Sequence, residues 1–311
     1  MTTLPMTVRE DGLPARVTIY EVGPRDGLQN EAALVPTEVK AEFVTRLVAA
    51  GLPTVEATSF VHPRWVPQLA DAGDLLGLLG DRLGEAARDL PVLVPNDRGL
   101  DRALELGCRH VAIFGSATET FARKNLNRSL DEQFAMFEPT VRRARDAGLE
   151  VRAYLSMCFG DPWEGVVPVE QVVAAGTRLM DLGASQLSLG DTIGVGTAGH
   201  VGALVAAFGA AGLGPDRLAM HFHDTYGQAL ANTYAALRAG ITTYDASAGG
   251  LGGCPYAESA TGNLATEDLV WMLDGLGVEH GVDLDALVDT SRWMAGHLGR
   301  PSPSAVVRAR S

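Results

Sequence analysis

A chain of 311 residues, 46% of them apolar, has enough material for one large α/β barrel or for two ordinary domains. Its net charge of −13 repels polyanions, which excludes general nucleic-acid or anionic-membrane binding; an anionic ligand would need a local basic patch. Three scattered cysteines, Cys108, Cys158 and Cys254, make neither a disulfide framework nor a structural zinc site and read as free thiols in a reducing compartment.

Residues 1–16 form an N-terminal extension without the apolar segment of a secretory signal, and Glu10 and Asp11 oppose a transit-peptide reading. No apolar run reaches membrane-spanning length, and Ala309-Arg310-Ser311 is no clear peroxisomal address, so the expected location is the cytoplasm. From residue 17 onward, strand-length apolar runs recur: Val17–Val22, Thr54–Phe60, Leu90–Val94, His110–Phe114, Val151–Ser156, Gln186–Leu189, Leu218–Phe222 and Thr242–Ala246. Segments of helical period lie between them, as in Glu38–Ala50 and Val169–Leu182. Five of these stop at a glycine shortly before the next strand: Gly51, Gly107, Gly148, Gly183 and Gly240.

Eight βα repeats without a linker predict a closed (β/α)8 TIM barrel over residues 17–300, followed by a tail, 301–311. A Rossmann fold would need G-x-G-x-x-G after the first strand, where the chain has Gly23-Pro24-Arg25-Asp26-Gly27. In a barrel, functional residues belong at the C-terminal ends of strands. Arg25 and Asp26 follow the first strand, Glu56 and Ser59 lie on the second, Asp191 and Thr192 follow the sixth, and His221 and His223 close the seventh.

His221 and His223, at i and i+2 on a strand, project to one face with two nitrogen donors close together, a chelating geometry. A lone strand histidine is more often a hydrogen-bonded core residue; the pair ahead of Asp224 points to a metal or to catalysis. After the eighth strand, Ser247–Tyr256 holds four glycines in five positions ahead of Cys254. An ordinary surface turn is one reading of the glycines, and a mobile catalytic loop with a cysteine at its tip is the other. Asn263 would lie where the chain re-enters the rim.

The motifs Gly23–Glu31, Glu56-Ala57-Thr58-Ser59-Phe60, Ser188–Gly194, His221–Ala229 and the Cys254 loop together resemble the hydroxymethylglutaryl-CoA lyase family, in order from about residue 17 to 300. The resemblance implies cleavage of 3-hydroxy-3-methylglutaryl-CoA to acetyl-CoA and acetoacetate, as in leucine degradation and ketone-body formation, by a homodimer acting on a small-molecule acyl-CoA. It implies that Asp26, His221, His223 and the amide oxygen of Asn263 hold a divalent cation, Mg²⁺ or Mn²⁺ by the hardness of the donor set. Arg25, always protonated, would polarise the thioester carbonyl and hold the enolate, and Cys254, mostly a thiol near neutral pH, would return a proton to it. Their bland readings are a salt bridge and a buried inert thiol.

Asp26 or His221 would take the hydroxyl proton, and Glu56 joins the site as a partner of Arg25 or a plain rim carboxylate. Gln29, Ser59 and Thr192 carry over as substrate contacts. Arg123-Lys124-Asn125-Leu126-Asn127-Arg128 is either the basic patch for CoA phosphates or a solvated loop. Ala248 and Gly249 depart from the family's usual Val and Ala, and Ala32 from a lysine of other members. Rivals are a lyase for a larger 3-alkyl substrate, a Claisen condensing enzyme, which would usually carry an extra C-terminal region, and a non-catalytic metal- or acyl-CoA-binding protein, which would not need Cys254 on a mobile loop.

Overall fold

The computed structural model describes residues 4–253 and 262–310; Cys254 lies outside the described residues. Nine parallel strands form one sheet: β1 (Thr18–Glu21), β2 (Thr54–Val55), β3 (Thr58–Ser59), β4 (Val92–Leu93), β5 (His110–Ser116), β6 (Glu150–Ser156), β7 (Gln186–Asp191), β8 (Leu218–Phe222) and β9 (Thr243–Ala246). Their order runs β2-β1-β9-β8-β7-β6-β5-β4-β3, so the two ends of the sheet are β2 and β3. Only Glu56 and Ala57 separate these two. Glu56 N donates to Glu21 O on the β1 side (2.9 Å), and Ala57 N to Pro91 O on the β4 side (3.0 Å). The predicted second strand, Thr54–Phe60, is therefore one chain segment that changes partner midway, and the sheet closes into an eight-fold barrel. That interruption is the main difference from the expected strand pattern.

Around the barrel run α1 (Thr37–Ala49), α2 (Ala72–Leu83), α3 (Asp97–Glu105), α4 (Glu119–Leu126), α5 (Leu130–Asp146), α6 (Val169–Asp181), α7 (Ala198–Ala210), α8 (Ala229–Arg238), α9 (Thr266–Leu276), α10 (Leu284–Leu298) and α11 (Ala305–Ala309). The helix α1 buries Ala41, Phe43, Val44 and Leu47, a stripe at three- and four-residue spacing that faces the sheet. Ser129 and Glu132 close the N-terminus of α5 as a reciprocal capping box. All five predicted glycine stops have positive φ, between +73° and +118°. The 301–311 segment holds α11, whose Val307 is buried, and Ser302 Oγ donates to Gly249 O at 2.9 Å.

The main apolar core lies between strands and helices, where Ile19, Val55, Val92, Ile113, Val151, Leu187, Met220 and Tyr244 meet the helical stripes. The barrel interior differs. Leu93, Ala112 and Tyr154 form a small separate cluster there, and above it charged side chains fill the space. Among the described residues no helix is long and apolar enough to cross a membrane.

Candidate active site and metal centre

Val22, at the end of β1, turns the chain by accepting three backbone hydrogen bonds on its carbonyl, from Arg25, Asp26 and Gly27 (3.2, 2.7 and 3.1 Å). This tight turn aims Arg25 and Asp26 into the barrel mouth. A side chain at Gly27 would strike Leu251, whose Cβ lies 2.8 Å from where a Cβ would stand, so the turn and the glycine loop approach backbone to backbone. Arg25 is buried. Its Nε donates to Glu56 Oε2 (2.6 Å) and its Nη1 to Asp26 Oδ1 (2.7 Å). Tyr154 from β6 donates its hydroxyl to the same Glu56 oxygen at 3.0 Å.

Burial opposes the charge on Arg25, but Glu56 and Asp26 overcome it and hold the guanidinium well above its ordinary range. Burial pushes the Glu56 carboxyl up, only partly countered by Arg25. For Asp26 burial acts upward too, yet Arg25, the two imidazoles and the Asn263 amide outweigh it and keep the carboxyl below its usual value.

The strand pairing expected of His221 and His223 is present in β8 and the residues after it. Nε2 of His221 lies 3.2 Å from Nε2 of His223 and 4.0 Å from Asp26 Oδ2. One donor atom from each of the three residues falls within 4.8 Å of the others, as a shared cation requires. Asn263 stands beside them because its backbone bridges to His223. Its Nδ2 donates to Asp26 Oδ2 (2.9 Å) and Leu251 O (3.0 Å), while its buried Oδ1 has no partner among the described residues. An orphaned amide oxygen next to a carboxylate and two imidazoles fits a hard divalent cation. Burial, then the neighbouring His221, depress His223 to about 4, so it stays a neutral ligand across the physiological range.

A feature that sequence reasoning missed lies beneath His221. Its Nδ1 faces Asp245 Oδ2 at 3.3 Å, and β8 and β9 pair in register so that His221 and Asp245 are direct neighbours. Arg152 from β6 grips Asp245 with both terminal nitrogens (3.2 and 2.5 Å), and Ser188 Oγ donates to Asp245 Oδ2 at 2.7 Å. The Arg152 guanidinium is stacked between the rings of Tyr20 and Tyr154, at 4.0 and 4.7 Å. Burial alone would raise the Asp245 carboxyl; Arg152 reverses that and holds it at about 2.

Residues 16–294 match the HMGL-like family model. The chain belongs to the HMGL-like family. It is 50% identical over 293 residues to the mitochondrial hydroxymethylglutaryl-CoA lyase of Arabidopsis thaliana, covering 94% of this chain and 62% of that protein's length. The crystal structure of the Bacillus subtilis HMG-CoA lyase superposes with a TM-score of 0.92 at 45% identity, over 96% of this chain and 99% of that one. An HMG-CoA lyase from Acinetobacter baumannii, solved with coenzyme A and 3-methylmalate, gives a TM-score of 0.88 at 32% identity, covering 97% of each chain.

The remaining positions expected from the HMGL-like motifs fall into two groups. Ser59 and Thr192 sit at the rim: Ser59 Oγ accepts from Val61 N (3.1 Å), and Thr192 Oγ1 accepts from Met157 N (2.8 Å). Met157 itself is held at φ +62°, a strained setting for a residue with a side chain. Gln29 is half-buried, one turn beyond Asp26. Asp191 braces the next loop by accepting from Val195 and Gly196 N (both 2.9 Å), and burial lifts its carboxyl to about 6.

Arg123 and Lys124 form the second group. They ride on α4, not on a loop, because Asn127 ends the helix in the left-handed conformation at φ 53°. Both are exposed; Arg123 pairs with Glu119 (2.6 Å) and Lys124 covers the Trp163 ring (4.8 Å). Ala248 and Gly249, the departures from the family pattern, anchor the root of the glycine loop. Ala248 N donates to Glu21 (2.8 Å) and Gly249 N to Glu267 (2.9 Å), and a side chain at Gly249 would point at Ser302 and Ser291, away from the histidines.

Proposed function

We propose that the protein cleaves 3-hydroxy-3-methylglutaryl-CoA to acetyl-CoA and acetoacetate by a retro-Claisen reaction assisted by Mg²⁺ or Mn²⁺. The observation that carries this reading is the convergence of Asp26, His221, His223 and the orphaned Asn263 oxygen beside a buried Arg25, in an HMGL-like chain. These four residues would hold the cation, which when bound supplies a Lewis acid for the substrate's tertiary hydroxyl. Asp26 or His221 accepts the hydroxyl proton as the carbon–carbon bond breaks. The oxygen's electron pair becomes the new ketone of acetoacetate, and the electrons of the broken bond pass to the thioester as an enolate.

Arg25 holds that enolate oxygen, with Glu56 and Tyr154 fixing the guanidinium so that no reorganisation is needed as charge develops. Cys254 gives its proton to the enolate carbon, which completes acetyl-CoA. Gln29, Ser59 and Thr192 contact the acyl-CoA, and Arg123 and Lys124 meet its phosphates as an exposed basic pair on an acidic protein. The coenzyme A in the Acinetobacter relative supports an acyl-CoA partner. We place the protein in the cytoplasm as a homodimer, acting in leucine degradation; two buried free thiols, Cys108 and Cys158, suit a reducing compartment.

A larger alkyl substrate gains no support from Gly249, where a side chain would meet Ser302 and Ser291. The test is release of acetoacetate from hydroxymethylglutaryl-CoA by purified protein with Mg²⁺ or Mn²⁺, alongside longer 3-alkyl analogues, with chelator as control. Cys254→Ala and His223→Ala should each lose most of the rate. Folded, metal-loaded wild type that releases no acetoacetate would sink the assignment.

A further inference from the structure

The two histidines of the cluster are not equivalent. Their Nε2 atoms face each other at 3.2 Å, but His221 has an anchored second nitrogen and His223 does not: His223 Nδ1 is buried without a partner among the described residues. A histidine can present a lone pair to a cation through Nε2 only if its proton sits on Nδ1. We propose that Asp245, clamped by Arg152 and Ser188, is a positioning residue that fixes the His221 proton on Nδ1 and so keeps the Nε2 lone pair on the cation site. This rests on reading Asp26, His221 and His223 as a metal centre.

The geometry sets the direction of each hydrogen bond. Arg152 can only donate, so both Asp245 oxygens must accept, at 2.5 Å on Oδ1 and 3.2 Å on Oδ2. Oδ2 also takes the Ser188 hydroxyl at 2.7 Å, and what it offers His221 Nδ1 at 3.3 Å is a further acceptor, not a donor. Nδ1 therefore carries hydrogen. The 3.2 Å contact between the two Nε2 atoms agrees with this, because His223 can then donate to a bare His221 Nε2.

Arg152 has its own supports, which make the clamp rigid. Its Nε donates to Gln186 Oε1 (3.0 Å), and the Gln186 amide donates to Thr243 Oγ1 (3.2 Å). Strands β6, β7 and β9 thus each contribute to one buried network whose outlet is a single imidazole nitrogen. A core ion pair with no bearing on the site would not need to end on His221. Such outer hydrogen bonds to a metal-binding histidine fix its tautomer and ring orientation.

Asp245→Asn tests the idea with little change in shape. The amide nitrogen must replace one oxygen, and the Oδ1 position, 2.5 Å from an Arg152 donor, tolerates it least. It goes to the Oδ2 position, where only the longer Arg152 contact (3.2 Å) is given up, Ser188 can turn to accept and His221 must accept on Nδ1, which moves the imidazole proton to Nε2 and blocks the lone pair.

Two readouts follow. Long-range proton–nitrogen correlation spectra of ¹⁵N-histidine protein without metal report the tautomer, and the paramagnetic resonance of free Mn²⁺ reports affinity. Wild type should show His221 protonated on Nδ1; Asp245→Asn should show it on Nε2 and bind Mn²⁺ about 10–100-fold more weakly. Wild-type protein with His221 protonated on Nε2 overturns the inference, and this holds even if the variant fails to fold. So does a folded Asp245→Asn protein with wild-type tautomer and Mn²⁺ affinity. If wild type binds no Mn²⁺, the metal reading fails by itself, while the metal-free tautomer still decides the role of Asp245.

Discussion

Arginine–carboxylate clusters occur in two regions of this molecule with nearly the same contacts and opposite surroundings. At the barrel's N-terminal end, Arg109 meets Asp89 (2.9 Å) and Glu85 (3.0 Å) with its side chain 48% exposed; inside the barrel, Arg152 meets Asp245 at 2.5 Å with 7% exposed. Water can replace either partner outside. Inside it cannot, so each charge there depends on its protein partners. The difference teaches that distance alone says little about what an ion pair does. The interior pairs are costly to bury, and both terminate on residues of the cation cluster, Arg25 on Asp26 and Asp245 on His221. They are better explained by the chemistry of the mouth than by holding the barrel together.

The largest effect should come from breaking the interior pair on one side. Arg152→Met leaves Asp245 buried and unpaired, which costs about 3–5 kcal/mol of stability in a denaturation experiment. Removing both charges, as in Arg152→Met with Asp245→Leu, should recover much of that loss but not Mn²⁺ affinity. Full recovery of both would mean that the pair serves packing only. Next is Arg25→Met, which removes the group proposed to hold the enolate and should lower kcat by about 100–1,000-fold, with KM moving much less. Arg25→Lys should not rescue it, since one ammonium cannot reach Glu56 and Asp26 in the fork geometry of the guanidinium. A variant with normal kcat would move the enolate site elsewhere.

The rim residues Arg25, Asp26, Glu56, His221 and His223 were legible because each stands at a strand's C-terminal end within a long motif. Asp245, Arg152 and Ser188 were not, although they sit in strands correctly placed. They lie inside runs read as apolar, and the partners Arg152 and Asp245 are 93 residues apart, so no local spacing joins them. The available signal was parity: Arg152 and Tyr154, Gln186 and Ser188, and Thr243 and Asp245 put a polar face on three strands of a barrel. The break in the second strand was hidden because both halves have strand composition, and the change of partner is a property of closure. The Arg123–Arg128 stretch could be read as a basic patch or a solvated loop; its first four residues close α4, which Asn127 ends in the left-handed conformation.

A third region sharpens the comparison, because its buried carboxyls have no cationic partner among the described residues. Glu21 and Glu267 clamp the root of the glycine loop: Glu21 accepts from Gly23 N and Ala248 N (both 2.8 Å) and from Thr266, and Glu267 accepts from Gly249 N (2.9 Å) and Ser291. Burial, only partly offset by these donors, lifts Glu21 to about 7 and Glu267 to about 8 from an ordinary 4.5. Folded protein therefore keeps protons that the unfolded chain gives up, and the stability these groups supply falls as pH rises from about 4.5 to 8. Glu267→Gln mimics the protonated form. Its melting temperature relative to wild type should climb steadily between pH 5 and about 8. A difference that stays constant with pH would show that the carboxyl is ionised throughout and handled like the interior pairs.

The smallest effect belongs to the outer cluster, and it is the control on which the comparison turns. Arg109→Ala removes two close contacts to two carboxylates, as many as Arg152 makes with its single carboxylate. Yet Glu85 and Asp89 are 71% and 53% exposed at the side chain, so both return to water when the arginine is lost, and salt already screens what they gain from it. Melting temperature, Mn²⁺ affinity and acetoacetate release should all match wild type within error. A loss of stability approaching that of Arg152→Met would mean that burial is not what separates the two clusters, and the assignment of the interior pairs to the chemistry of the mouth would lose its physical basis.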